Sequence, residues 1–249
     1  MIYITGDTHC PTGMDKLNET NFPQQKHMTK KDYVIICGDF GDIWSAKSNE
    51  QKDMLQWLSQ RNFTTLFLDG NWENYGKLNS QTITVWNGGS AHRLTDSVIH
   101  LMRGQIYTLN RRSFFVMGGG CSKYRELRKK DGTWWPEEMP SAREYRAAWQ
   151  NLEKACRKVD YILTHTAPYS LVTQLRDVEG EYPLNLFLQE IEEKIRYKHW
   201  YFGHFHRDIE LDEKHTGVYH RLLHCASAWG LRLMNTKGSG ALAGSLNLS

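Results

Sequence analysis

The chain has 249 residues, 40% of them apolar and 24% charged, with a formal net charge of +3. That is enough apolar material for one sizeable core, and the charge is too mild to argue for a nucleic-acid partner. The apolar runs are too short to span a bilayer, and the five cysteines include no Cys-x-x-Cys pair, which argues against a membrane span, a disulfide framework and a zinc knuckle.

Ile2 to Thr5 is a short apolar run that predicts a buried strand, and it leads into Gly6-Asp7-Thr8-His9. No charged n-region or long apolar h-region precedes it, so the expected setting is soluble, reducing and cytoplasmic. Residues 11–31 are polar and carry Pro11 and Pro23, so any helix there is short. Tyr33 to Cys37 predicts a second buried strand that stops at Gly38-Asp39. Ser48 with Gln51 forms a capping-box pattern for a helix to about Ser59, with Met54, Leu55 and Leu58 inward. Thr65 to Leu68 predicts a third buried strand, ending in Asp69-Gly70-Asn71-Trp72-Glu73. Strands alternating with helical or irregular segments argue for an α/β fold with parallel strands, whose carboxyl ends carry ligands.

The middle of the chain reads differently. Segments 82–88, 98–102, 105–109 and 113–118 predict short antiparallel strands of a second sheet, with a hairpin turn at Asn110-Arg111-Arg112. Gly118-Gly119-Gly120 looks like a phosphate cradle, but no Gly-Lys-Ser/Thr accompanies it, and a strand exit is the better reading. Residues 121–140 predict a long basic, aromatic loop with Lys123, Arg125, Arg128, Trp134 and Trp135. The tryptophans fit either a lid over a ligand or a plug at the core edge.

Ser141 with Glu144 predicts another capped helix, with Ala148, Trp149 and Leu152 on one stripe. Tyr161 to Thr164 is the next predicted buried strand, with His165 at its end. A helix through Leu184, Leu188 and Ile191 follows, then a strand at Trp200 to Phe202 ending in Gly203-His204-Phe205-His206. Segments 208–211 and 216–224 would close that sheet as a hairpin. One domain over 1–234 is expected, with 235–249 a low-complexity flexible tail or appended segment.

Alternate residues of an extended chain point the same way, so Asp7 and His9 can converge on one ion. Alone, Asp-x-His also fits a solvated turn, as Asn71 fits a turn residue and His165 a satisfied core histidine. The pattern recurs, however: Asp39, Asn71, His165, His204 and His206 also follow predicted buried strands. Oxygen donors mixed with imidazoles suit Mn, Fe, Ni or Zn. So many donors exceed one tetrahedral ion and suit two, roughly 3.5–4 Å apart with a shared carboxylate.

The blocks Gly6-Asp7-Thr8-His9, Gly38-Asp39-Phe40-Gly41-Asp42, Gly70-Asn71-Trp72-Glu73, Thr164-His165-Thr166-Ala167-Pro168 and Gly203-His204-Phe205-His206 resemble, in order, those of the calcineurin-like metallophosphoesterases. The resemblance runs from residue 2 to about residue 225. It implies a four-layer α/β/β/α sandwich and a dimetal phosphoesterase. It implies that Asp7, His9 and His206 hold one ion, that Asn71, His165 and His204 hold the other, and that Asp39 bridges them. A metal-bound hydroxide would then attack phosphorus in line.

Two positions depart from the family pattern. Cys10 stands where glycine is usual, so its side chain would crowd the turn or offer a thiol to the metals. Trp72 stands where the family carries a histidine near the leaving group, and indole cannot shuttle a proton. The family's protein-phosphatase branch has Asp-Arg-Gly in its second block; Asp42 is followed here by Ile43-Trp44, which favours small phosphodiesters as substrates. The alternatives are a metal-bound ligand-binding protein weakened by Trp72, and a nuclease of the same fold that tracks phosphates with Lys123, Arg125 and Arg128.

Overall fold

The computed structural model describes residues 1–41, 48–175 and 181–225, with backbone alone at 48–51. In chain order the strands are β1 (Ile2–Thr5), β2 (Tyr33–Cys37), β3 (Thr64–Leu68), β4 (Ile83–Trp86), β5 (Gly89–Thr95), β6 (Val98–Leu101), β7 (Gln105–Leu109), β8 (Arg112–Met117), β9 (Tyr161–Thr164), β10 (His199–Phe202), β11 (Ile209–Glu210), β12 (His215–Gly217) and β13 (Leu223–His224). The helices are α1 (Ser48–Ser59), α2 (Tyr75–Leu78), α3 (Arg125–Lys130), α4 (Ala142–Lys154), α5 (Tyr169–Leu175) and α6 (Tyr182–Lys194).

The strands form a seven-stranded sheet, β13-β1-β2-β3-β6-β5-β4, and a six-stranded sheet, β11-β12-β10-β9-β8-β7. Side-chain alternation along single strands shows how the sheets stack. Ile35 and Cys37 of β2 face a cluster that also holds Phe114 and Val116 of β8 and Tyr201 of β10, so the sheets pack face to face. The odd-man residues turn the other way. Val34 and Ile36 meet Leu58 of α1 with Met14, Leu17 and Phe22. Phe115, Trp200 and Phe202 meet Ala148 and Leu152 of α4 and Leu184, Leu188 and Ile191 of α6. The result is a four-layer α/β/β/α sandwich, as expected.

The three strands β1, β2 and β3 pair in parallel, as the alternation implied. The capped helix α4 carries its full capping box between Ser141 and Glu144. The polar 11–31 stretch forms only short 3₁₀ turns, Met14–Leu17 and Pro23–His27. The Ser48–Gln51 capping pattern rests on side chains outside the described residues, as do Asp42, Ile43, Trp44 and the 235–249 tail.

Contrary to expectation, the middle segments do not make a second sheet of their own. Strands β4, β5 and β6 extend the first sheet, and β6 runs parallel to β3. The expected strand at 82–88 ends early because Asn87-Gly88 is a two-residue hairpin turn: φ is 47° and 97° there, and Trp86 pairs with Gly89. Asn-Gly is the favoured sequence for such a turn, and the strand after it, rich in Gly, Ser, His and Arg, has little β propensity of its own. The other hairpin turns at Asn110-Arg111, with Leu109 opposite Arg112. The second sheet is parallel through β8, β9, β10 and β12. Beyond β12 the chain does not stay in that sheet: β11 and β12 pair as a hairpin, but β13 crosses to lie antiparallel to β1. The predicted loop at 121–140 contains α3 and a 3₁₀ turn at Pro136–Glu138.

Behind the end of β3 lies a buried charge network. Asp69 accepts from Arg103 Nε at 2.7 Å, and His100 Nε2 is 3.0 Å from its other oxygen. Arg103 also donates to the Tyr75 hydroxyl at 2.7 Å and to the Glu137 carbonyl at 2.8 Å. Burial alone would raise the Asp69 pKa, but Arg103 and His100 hold it well below the usual carboxylate range. Removing one partner leaves the other charge buried and uncompensated. Arg103→Ala is therefore expected to lose about 3–5 kcal/mol of stability in urea denaturation. A loss under about 1 kcal/mol would show that Asp69 is satisfied without it.

Candidate metal centre

The carboxyl ends of parallel strands from both sheets meet at one edge of the sandwich. The turn after β1 carries Asp7 and His9, that after β2 Asp39, that after β3 Asn71, that after β9 His165, and that after β10 His204 and His206. Asp7, His9, Asp39, His204 and His206 all have positive φ, between 40° and 69°. Such backbone costs on the order of 1–3 kcal/mol per residue and persists only where surroundings over-determine it. Here the turns brace one another: Asp7 N donates to Gly38 O at 3.1 Å and His9 N to Asp39 O at 2.9 Å. The glycine that opens a block makes room for a donor from another strand. A Cβ on Gly70 would stand 2.2 Å from Asp39 Oδ1, and one on Gly203 2.5 Å from Asp7 Oδ2.

Asp7, His9, Asp39 and His206 bring their donor atoms within 4.8 Å of one another. His9 Nε2 is 2.9 Å from His206 Nε2 and 3.7 Å from Asp39 Oδ2, and His206 Nε2 is 3.5 Å from Asp7 Oδ1. A second group gathers round the other oxygen of Asp39. His165 Nε2 is 3.4 Å from Asp39 Oδ1, 3.1 Å from Asn71 Oδ1 and 3.1 Å from His204 Nδ1. The two oxygens of Asp39 thus face separate donor groups.

Hydrogen bonds behind these atoms set their lone pairs. His165 Nδ1 is 3.0 Å from the Cys37 carbonyl, which can only accept, so Nδ1 carries the proton and Nε2 faces the centre bare. Asn71 Nδ2 donates to Ser122 Oγ at 3.3 Å, which turns Oδ1 inward. His204 Nε2 is 2.7 Å from Glu181 Oε1, leaving Nδ1 to the centre. These inward atoms are imidazole nitrogens and carboxylate or amide oxygens, all metal-ligand types, and in the metal-free protein the protons of His204 and His206 bridge some of them where a cation would otherwise lie. The residues fit divalent metal.

Burial opposes ionisation of Asp7, yet the hydrogen bond from His206 and the charges of His165, His206 and His204 bring its carboxyl below the ordinary value. Burial lowers the His9 pKa, against the pull of Asp39 and Asp7. The Glu181 carboxyl, opposed by burial, is brought to about 2 by His204. His204, also opposed by burial, is raised to about 9 by Glu181. Glu73, buried beside Asp39 and Asp69, is pushed well above the usual range, and its Oε1 accepts from Phe40 N at 2.8 Å.

Trp72 stands at the rim, 45% exposed, its ring edge-on to His9 at 5.8 Å. Its backbone N–H donates to Asp39 Oδ1 at 2.8 Å. The Cys10 side chain packs into the outer core with Met14 and Phe22 and is not among the clustered donors. Lys123 and Arg125 are exposed, and Trp134 lies between Arg125 and Lys129, at 4.9 and 4.8 Å. Arg128, expected to meet substrate, is instead buried: Nη1 donates to the Asn71 carbonyl at 2.6 Å and the guanidinium covers the Trp72 ring at 4.5 Å. Gly119 N and Gly120 N donate to Asp69 O and Glu138 O, so the triple glycine is a packed strand exit, with no N–H of these two left for phosphate. Glu181 and Ser122 were not anticipated, because a lone Glu or Ser outside a donor motif carries no sequence signal, and Glu73 stood in a recognised block without a role of its own.

A four-layer sandwich of two mixed sheets, with carboxylates and imidazoles gathered at its strand ends, is the architecture of a metallophosphoesterase. The chain belongs to the calcineurin-like phosphoesterase family, whose family model matches residues 1–208. It is also similar to the crystal structure of a phosphopantetheinyl hydrolase from Mycobacterium tuberculosis, with 15% identity over 93% of this chain and 92% of that one and a TM-score of 0.40. No curated protein matches the chain. Among the described residues, no helix is long and apolar enough to cross a membrane.

The Glu181–His204 pair makes the metal-free protein pH-sensitive in two directions. Glu181 is depressed from 4.5, so its contribution is present above that pH and is lost toward 2. His204 is raised from 6.5, so its contribution is present below that pH and is lost as pH rises through about 9. With EDTA present, the Tm difference between wild type and Glu181→Gln should be widest between pH 4.5 and 6.5 and should shrink toward pH 9. A difference that stays flat from pH 6 to 9 would place the proton of His204 elsewhere.

Proposed function

We propose that the chain hydrolyses small phosphodiesters in a cytoplasmic setting, with two divalent ions held by Asp7, His9, Asp39, Asn71, His165, His204 and His206. The observation that carries this reading is the divided environment of Asp39, one oxygen toward His9 and the other toward His165. Mn, Fe, Ni or Zn would each suit these donors. Bound ions supply Lewis acidity toward phosphoryl oxygen and lower the pKa of water.

The chain's own residues define the rest. Asp39 is held by the Trp72 backbone N–H, which fixes the angle it presents to both donor groups. Glu181 and the Cys37 carbonyl orient His204 and His165, keeping their other ring nitrogens inward. Lys123 and Arg125, exposed near the same rim, would draw phosphate groups, while Arg128 positions the Asn71 carbonyl. Trp72 offers only an N–H donor and cannot protonate a leaving group. Substrates that need little protonation, such as p-nitrophenyl esters, should therefore be turned over far better than esters with alkoxide or ribose leaving groups.

Two outcomes test this. Asp39→Ala should lower the occupancy of both ions together in elemental analysis, since one carboxylate serves both; full occupancy in that variant would refute the shared role. Trp72→His should raise turnover of esters with poor leaving groups by roughly 10²-fold or more, and of p-nitrophenyl esters by much less, with metal content unchanged. An equal gain on both would mean that Trp72 acts by obstructing the site.

A further inference from the structure

A groove of about 690 Å³ runs from Asp7 and His9 outward, between the 12–24 segment and the chain at Tyr219 to Leu223. It is far larger than a phosphate group needs and lies within the range of about 300–1,000 Å³ typical of small-molecule sites. Resting on the phosphodiesterase reading above, we propose that this groove binds the organic group of the substrate, and that this group is a nucleoside or another heteroaromatic of that size.

The outer wall of the groove is a built feature. The Asp208 carboxylate accepts the backbone N–H groups of Tyr219 at 2.8 Å, His220 at 3.1 Å and Arg221 at 3.2 Å. From the other side, Thr5 Oγ1 and Lys16 Nζ donate to the Tyr219 carbonyl at 3.0 and 2.6 Å. Lys16 also donates to the Gly6 carbonyl at 2.6 Å, which ties this wall to the turn bearing Asp7. The Tyr219 ring stacks on His206 at 4.7 Å with an interplanar angle of 6°. The wall and the donor turn are therefore one rigid unit, and a preorganised wall binds without the entropy cost of ordering a loop.

The lining selects the ligand chemistry. Arg221, exposed, and the half-buried ring of Tyr219, whose one face lies on His206, offer flat surfaces on which a ring can stack. Asn21 and Gln24 on the facing wall carry amides, which can both donate to and accept from a heteroaromatic edge. An acyl chain would make no use of the Asn21, Gln24 and Arg221 side chains that line the groove. A second phosphate would find the Asp15 carboxylate lining the same groove, which weakens the case for a purely anionic tail.

The test compares two esters with one leaving group, methyl p-nitrophenyl phosphate and thymidine 5′-(p-nitrophenyl phosphate), on Mn-loaded protein. Wild type should favour the thymidine ester by about ten-fold or more in kcat/KM, expressed mainly in KM. Gln24→Trp, which fills the groove, and Arg221→Ala should bring that ratio toward one. Both positions are exposed, so folding is not at stake. A wild-type ratio near one, or a ratio that neither substitution moves, overturns the proposal. If metal-loaded protein hydrolyses neither ester, the proposed reaction fails, and the groove is then judged by calorimetric titration. Thymidine 5′-monophosphate binding about ten-fold tighter than inorganic phosphate in wild type, with that advantage lost in Gln24→Trp, supports the groove. Equal affinities, or a phosphoserine peptide that binds more tightly than the nucleotide, overturn it.

Discussion

The structure depends on electron-pair donors that face one another across a small buried space. Asp39 is almost fully buried, and around it stand His9, His165 and, beyond them, Asp7, Asn71, His204 and His206. Such groups repel or strain unless something positive lies among them. Everything nearby works to stop them from turning away. The Cys37 carbonyl fixes His165, Ser122 fixes Asn71, and Glu181 fixes His204. The backbone at five of the donors is held in a left-handed conformation that an L-residue avoids when free. Local stability is given up at this edge, and the rest of the fold supplies it.

That supply comes from the layers. The strands that deliver the donors alternate their side chains between an inter-sheet core and a helix-covered outer core. Each is therefore clamped on both faces. A strand gripped this way cannot slip by one residue, because slipping would exchange its two faces. Register at the strand is then position at the donor. This explains how turns with so little regular structure hold side chains from both sheets within hydrogen-bonding distance of one another.

The same physics decides what was readable in the chain. The strands β1, β2, β3, β9 and β10 announce themselves as apolar runs, because burial on both faces leaves no polar positions. The candidate donors stood out only by recurrence: alone each Asp, Asn or His fits a turn, and it is the same ending on five buried runs that draws attention to them. Strand β5 was not legible, because Gly89, Ser90, His92 and Arg93 become a strand only through pairing across the Asn87-Gly88 turn. The crossing of β13 to the first sheet was not legible either, since Leu223 and His224 look the same whichever sheet they join. Glu181 is far in sequence from His204's own turn partners and shows its role only by distance. Charge alone misplaced Arg128: a basic residue in a basic segment reads as exposed, and nothing local says that a carbonyl waits for it.

Arg128 also changes what the 121–140 segment is. Its guanidinium reaches the Asn71 carbonyl and the Ser122 hydroxyl, and Ser122 in turn holds the Asn71 amide. Asn71 is thus gripped at both its backbone and its side chain by residues of this one segment. Glu138 closes the circuit, accepting from Ser122 N at 3.1 Å and from Ser122 Oγ at 2.7 Å. A detached lid would touch the site only when ligand is present. This segment is joined to a donor through buried polar contacts, which are costly to break because each leaves an unpaired group behind. Its exposed cations and its buried arginine therefore belong to different parts of the design. The cations of α3 face solvent, while Arg128 couples the position of α3 to the position of Asn71. Trp72 sits between the two, its ring under the guanidinium and its backbone on Asp39. A large flat side chain there fills the angle between the arginine and His9, and its contacts tie the two together at the rim.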